Sequence, residues 1–210
     1  MKPDKRTHYG KHPRPGQPRP KAGPAAPPKN NAPKPELLAP AGKMETFVAA
    51  LDAGADAVYV GAHQFNARMR APNFTREELG QMAAFAHQRG RRLYLTVNTI
   101  LKETELPDLA RLLEELRQIG PDALIIQDMG VYRLARGVCP EIPLHASTQM
   151  SIHNLDGALQ AQRLGLQRVI LARELAVEEI HAIRSSCTIE LEAFVHGAMC
   201  YSVAGQCFIS

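Results

Sequence analysis

From residue 36 onward, short apolar runs alternate with longer stretches whose apolar residues recur at helical spacing. The short runs cover residues 36–39, 57–60, 93–97, 123–126, 142–145, 168–171 and 189–195. Most are near-continuous in Val, Ile, Leu and Ala, the pattern of parallel strands covered on both faces. The longer stretches predict helices over 44–53, 75–90, 106–119, 130–137, 154–164 and 177–185. Thr75 and Glu78 have the spacing of a capping box, with Phe74 and Leu79 placed for a hydrophobic staple. Gly120 and Pro121 form a strong stop after the third helix. The last helix has Ala176 at its start, where no side chain can cap it.

Seven strands separated by helices predict an α/β fold with a parallel sheet. A doubly wound sheet and a (β/α) barrel both satisfy that pattern. No Gly-x-Gly-x-x-Gly follows any strand, and polar residues gather where the strands end. Asn66 and Arg68 follow the second, Asn98 the third, Asp128 the fourth, Ser147 and Gln149 the fifth, Arg173 and Glu174 the sixth, and His196 the seventh. In a barrel these residues meet at one mouth, where such folds place their chemistry. The sequence therefore predicts an incomplete TIM-like barrel with about seven of eight strands. Arg68, Asn98, Asp128, Gln149 and Arg173 are its candidate substrate-binding residues. Asp128 also fits a second role, as cap of the helix that follows it.

In the seventh predicted strand Glu192, Phe194 and His196 alternate with Leu191, Ala193 and Val195. An extended strand puts Glu192 and His196 on one face, where a carboxylate and an imidazole are candidate catalytic groups. The alternative is a buried Glu–His pair that only holds the loop. Beyond them Cys200 and Cys207 are candidate metal ligands, although neither has the C-x-x-C partner of a zinc ribbon. Cys139 and Cys187 sit at helix ends and read as bystanders.

Charge changes the picture at the N-terminus. Residues 1–35 hold nine Lys/Arg against one acid, Asp4, and ten of the sixteen prolines. The remaining 175 residues hold sixteen Lys/Arg and twenty Asp/Glu. The first 35 residues thus predict a disordered basic arm, either an RNA-binding segment or a solubilising linker, followed by a mildly acidic barrel domain over 36–210. No apolar stretch of about 18 residues is present, so no membrane span is expected. The basic start is not followed by the apolar core of a secretory signal, which points to the cytoplasm and to reduced thiols.

The terminal stretch EAFVHGAMCYSVAGQCFIS, residues 192–210, resembles the signature of the U32 peptidase family, the collagenase-like peptidases. Glu192, Phe194, Gly197, Ala198, Met199, Cys200, Gly205, Cys207, Ile209 and Ser210 carry the likeness. ELLAPAG at 36–42, GADAVYVG at 54–61 and HASTQ at 145–149 agree with it. The family name implies proteolysis, yet neither His-Glu-x-x-His nor Gly-x-Ser-x-Gly is present. The resemblance also takes in oxygen-independent hydroxylases of a tRNA wobble uridine or an rRNA base. It implies a four-iron four-sulfur cluster, prephenate as the hydroxyl source, and tRNA or rRNA as partner. Cys200 and Cys207 would be two cluster ligands, with the other two downstream of Ser210 in the family, so the resemblance implies a C-terminally truncated chain. Two other readings stand beside this one: a peptidase with a cysteine nucleophile and His196 as base, and an inactive fragment.

Overall fold

The structure is a computed structural model and describes residues 34–62, 64–67, 74–197 and 202–206. The basic arm up to residue 33, Arg68, Cys200 and Cys207 lie outside the described residues. The chain divides between Pro35 and Glu36, and the second unit carries all the strands.

Among the described residues seven strands follow one another in space as they do in sequence: β1 (Leu38–Pro40), β2 (Ala57–Gly61), β3 (Arg92–Val97), β4 (Ala123–Ile126), β5 (Leu144–Ala146), β6 (Arg168–Ile170) and β7 (Glu190–Glu192). Every neighbouring pair is parallel. Six helices alternate with them: α1 (Met44–Asp52), α2 (Arg76–Gln88), α3 (Leu106–Ile119), α4 (Met129–Val138), α5 (Leu155–Arg163) and α6 (Val177–Ser186). The sheet curls into a half-barrel, the incomplete TIM-like α/β fold that the hydrophobic pattern predicts.

Strand alternation divides the apolar residues between two layers. Val58, Leu95, Leu124, Ile126, Leu144 and Val169 belong to the large core beneath the helices. Ala57, Tyr94, Ala123, Ile125 and Ile170 face the concave side and form a smaller inner cluster with Leu38 and Tyr59. The inner face therefore has room for polar side chains, and these occupy both of its ends.

Local chemistry sets the helix boundaries. Thr75 Oγ1 accepts from the Glu78 amide at 3.2 Å, and Glu78 returns the bond to the Thr75 amide at 2.7 Å. Phe74 and Leu79 are both buried beside this box, as a staple requires. Gly120 ends α3 at φ +70°, and its amide donates to Leu116 at 3.0 Å. Without a capping side chain at Ala176, α6 starts on Glu179, whose carboxylate accepts from the Ala176 amide at 2.7 Å.

One expectation needs correction. The last strand does not run over 189–195; it is the three residues Glu190–Glu192. Its partner β6 offers three residues, so the ladder ends where Ile170 meets Glu192. Residues 193–197 are exposed and outside the sheet. Glu192 and His196 are therefore not two positions of one strand.

Candidate functional site: a polar mouth above an ionic floor

At the end of the half-barrel where the strands begin, Arg168 is the buried hub of an ionic cluster. Its Nη1 donates to Glu36 Oε1 at 2.7 Å and lies 3.4 Å from Glu192 Oε2, while Nη2 donates to Glu190 Oε2 at 2.7 Å. Glu36 also accepts from the Tyr94 hydroxyl at 2.9 Å and from Arg92 at 2.5 Å. The Arg168 side chain is 9% exposed, so these bonds take the place of water around the guanidinium. Burial pushes the Glu36 carboxyl upward, but the bonds from Arg168 and Tyr94 and the Arg92 charge bring it below the ordinary value. Glu192 behaves in the opposite way: burial raises its pKa and the more distant Arg168 does not fully offset the rise.

His145 sits in the same lumen, edge-on to Tyr94 with ring centroids 5.0 Å apart. It is 1% exposed, and its Nδ1 has no partner among the described residues. Burial, aided by the Arg168 charge, lowers its pKa to about 4, so it is neutral at pH 7.

The opposite end, where the strands finish, is lined mainly by amides and hydroxyls. Asn98 Oδ1 accepts from the Ala67 amide at 3.1 Å, while its Nδ2 donates to Gln149 Oε1 at 2.9 Å. Ser147 Oγ lies 3.4 Å from Asn98 Nδ2 and accepts from the Gln149 amide. Asn66 is buried, donates to the Ala62 carbonyl and packs against Gly61, where a Cβ would lie 2.9 Å from its Cγ. Residues 202–206 close over this side: Gln206 Nε2 donates to the Gln149 carbonyl and to Ser151 Oγ, both at 2.8 Å. Ser151 holds φ +57° to meet it. The Ala204 amide donates to Glu174 Oε1 at 2.8 Å, and Glu174 Oε2 lies 3.4 Å from His153 Nε2. Arg173 lies over the ring of Phe194, 5.9 Å from its centroid.

Of the predicted substrate-binding residues, Asn98 and Gln149 are in direct contact, and Gln149 is linked through Gln206 to the 202–206 segment that also meets Arg173 and Glu174. Asp128 follows β4 as expected, but its Oδ1 accepts from the amides of Gly130 and Val131 at 2.6 and 3.3 Å, so its described bonds are those of a helix cap. Glu192 reaches the ionic floor, and His196 is exposed beyond β7. Among the described residues no group of three or more His, Cys, Asp or Glu is arranged to hold a metal. Glu36, Tyr94, Arg168, His153 and Gln206 were not predicted. The available signal was a charged residue at the start of β6 and another just before β1, both next to apolar runs.

The match to Peptidase family U32 covers residues 42–210. This chain belongs to that family. It is 42% identical over 175 residues to the 23S rRNA 5-hydroxycytidine C2501 synthase of Escherichia coli (strain K12), covering 83% of this chain and 26% of that protein. It is 41% identical over 178 residues to the tRNA hydroxylation protein P of the same organism, covering 84% and 39%. The U32 chain thus spans between about a quarter and two fifths of the length of these relatives. Among solved structures the U32 peptidase Mk0906 superposes with a TM-score of 0.64 at 15% identity, over 80% of this chain and 72% of its own. That likeness establishes the shared fold. No described helix is long and apolar enough to cross a membrane.

Proposed function

We propose that this U32 chain is the barrel portion of an oxygen-independent RNA hydroxylase that acts on a pyrimidine of tRNA or rRNA in the cytoplasm. Two relatives named for tRNA and rRNA hydroxylation match more than four fifths of the chain at above 40% identity, and that similarity carries the reading. The mouth is suited to it. Asn98, Ser147 and Gln149 present uncharged donors and acceptors, the groups that read the edge of an extruded base. Arg173 and Arg68 are the candidate cations for a dicarboxylate donor of the prephenate type, through paired hydrogen bonds. Glu192, with its raised pKa, and His196 are the groups proposed to hold and move a proton.

A four-iron four-sulfur cluster would supply electrons, and it takes about four thiolates. Cys139 and Cys187 are buried, and burial pushes the Cys139 thiol up to about 11. With Cys200 and Cys207 as its two remaining cysteines, the chain does not provide a full ligand set by itself. The cluster reading therefore assigns these two as a partial set.

A peptidase, as the family name says, is the second reading. Cys200 or Cys207 would be its nucleophile and His196 its base; His196 is exposed beyond β7, and both cysteines lie outside the described residues. Deleting the gene in its host and comparing tRNA and rRNA nucleosides by mass spectrometry tests the proposal. The expected result is loss of one hydroxylated pyrimidine, restored by the gene. An unchanged nucleoside profile overturns it.

A further inference from the structure

Among the described residues, six of the seven exposed large apolar side chains lie in segments that follow strand ends: Ile100, Met129, Val177, Phe194, Val195 and Val203. Phe194 differs from the others because it is planar and already has a planar partner. The residue is 48% exposed, and the Arg173 guanidinium carbon stands 5.9 Å from its ring centroid. Gly205, at φ +72°, brings its backbone so close that a Cβ there would lie 3.1 Å from Arg173 Nη2. The guanidinium thus lies near both the 202–206 segment and the ring.

We propose that Phe194, braced by Arg173, is the platform on which an unstacked pyrimidine base of single-stranded RNA lies at the mouth. The inference rests on the RNA-hydroxylase reading and adds to it the surface that receives the base. Leaving a large aromatic ring half in water forgoes its burial energy, and a base removed from its helix must recover the stacking it lost. Aromatic rings and Arg planes are the surfaces that proteins offer such bases. Asn98 and Gln149 then supply edge contacts at the same end of the barrel, so one face of the base is stacked and its edge is read. A guanidinium held over a ring by its charge keeps N–H groups for an anion.

The chain contains no tryptophan, so Phe194→Trp creates a single fluorescent reporter at the platform. The full chain carrying this change is titrated with a short single-stranded RNA of uridine and cytidine, and in parallel with an abasic oligomer of equal length. Quenching by the RNA and not by the abasic oligomer supports the platform. In the otherwise unchanged chain, Phe194→Ala and Phe194→Leu weaken RNA binding by roughly 5- to 100-fold, and Phe194→Tyr restores it. The loss persists at raised salt, unlike the contribution of the basic arm. If RNA binds with equal affinity to Phe194→Ala and leaves the Trp emission unchanged, the platform is overturned while the RNA reading stands. If the unchanged chain binds no RNA, both fall. Emission that shifts to the blue with protein concentration and ignores RNA assigns the apolar rim to a protein contact and overturns the platform.

Discussion

Arg168, the first residue of β6, donates to Glu36, two residues before β1, at 2.7 Å across 132 positions of sequence. Glu36 precedes one end strand of the sheet, and Arg168, on the penultimate strand, also bonds Glu190 on the other end strand, β7. A single guanidinium thus joins both ends of the sheet.

Replacing Arg168 with Met removes the buried positive charge and leaves the partly buried Glu36 and Glu192 without their main counter-charge. Breaking a buried ion pair from one side costs about 3–5 kcal/mol. The urea midpoint of Arg168→Met is expected to fall accordingly, and Arg168→Lys recovers only part of it because one ammonium cannot serve three carboxylates in a fork. A midpoint unchanged by Arg168→Met would show that the cluster does not brace the sheet.

Acid sensitivity follows from His145. Its folded pKa of about 4 lies below the ordinary value of 6.5, so the unfolded chain takes up the proton first. The stabilisation is complete above pH 6.5 and is lost as pH falls toward 4, on the order of 3 kcal/mol in all. His145→Phe, which keeps an aromatic edge for Tyr94, is expected to flatten the stability profile in that window. An unaltered acid limb in urea titrations between pH 7 and 4 would locate the sensitivity elsewhere.

Glu36 and Glu192 respond in opposite directions. The lowered pKa of Glu36 stabilises the fold above the ordinary carboxylate range, and that contribution disappears as pH falls through the folded value. The raised pKa of Glu192 stabilises only while it is protonated, and the contribution is lost as pH rises through the folded value. At pH 7 the denaturation midpoint should therefore fall in Glu36→Gln and hold or rise in Glu192→Gln. Equal losses in the two variants would contradict the opposed shifts.

Much of this half-barrel is legible before any coordinates. Residues 106–119 and 123–126 are read to the residue because Gly120 and Pro121 separate two strong patterns and because Gly120 takes the left-handed conformation that ends α3. The overlong seventh strand has a different origin. Alternation continues through His196, but strand length is set by the partner, and a three-residue β6 cannot be inferred from residues 189–195 alone. The mouth residues Asn98 and Gln149 are legible because they stand among the polar residues just beyond apolar runs. Arg168 and Glu36 are not, since pairing them requires knowing how far the sheet curls.

Asn98 ties the segment after β2 to the one after β5 through Ala67 and Gln149. Asn98→Leu removes an acceptor and a donor, at about 1 kcal/mol for each bond. Hydrogen exchange at the Ala67 amide should quicken by more than tenfold, while the amides of β3 stay protected. Protection retained at Ala67 would mean that another group accepts from it.

Cys139 is 1% exposed, and burial raises its thiol to about 11. Alkylation of the native chain at pH 8 should leave Cys139 unmodified and reach it only in denaturant, because the thiolate is the reactive form. Peptide mass mapping reads the result directly. Rapid native labelling of Cys139 would contradict its burial.

The sheet's sequential order gives the Arg168–Glu36 contact one more property. Each strand pair adds its own small rotation, and the spacing between β6 and β1 is the accumulated result. A contact that spans six of the seven described strands acts as a gauge of most of that curvature. A side chain that is slightly too large beneath any intervening strand changes the sum, and the same change alters the spacing of Asn98, Gln149 and Arg173 at the other end. The floor of the half-barrel thus sets the calibre of its mouth.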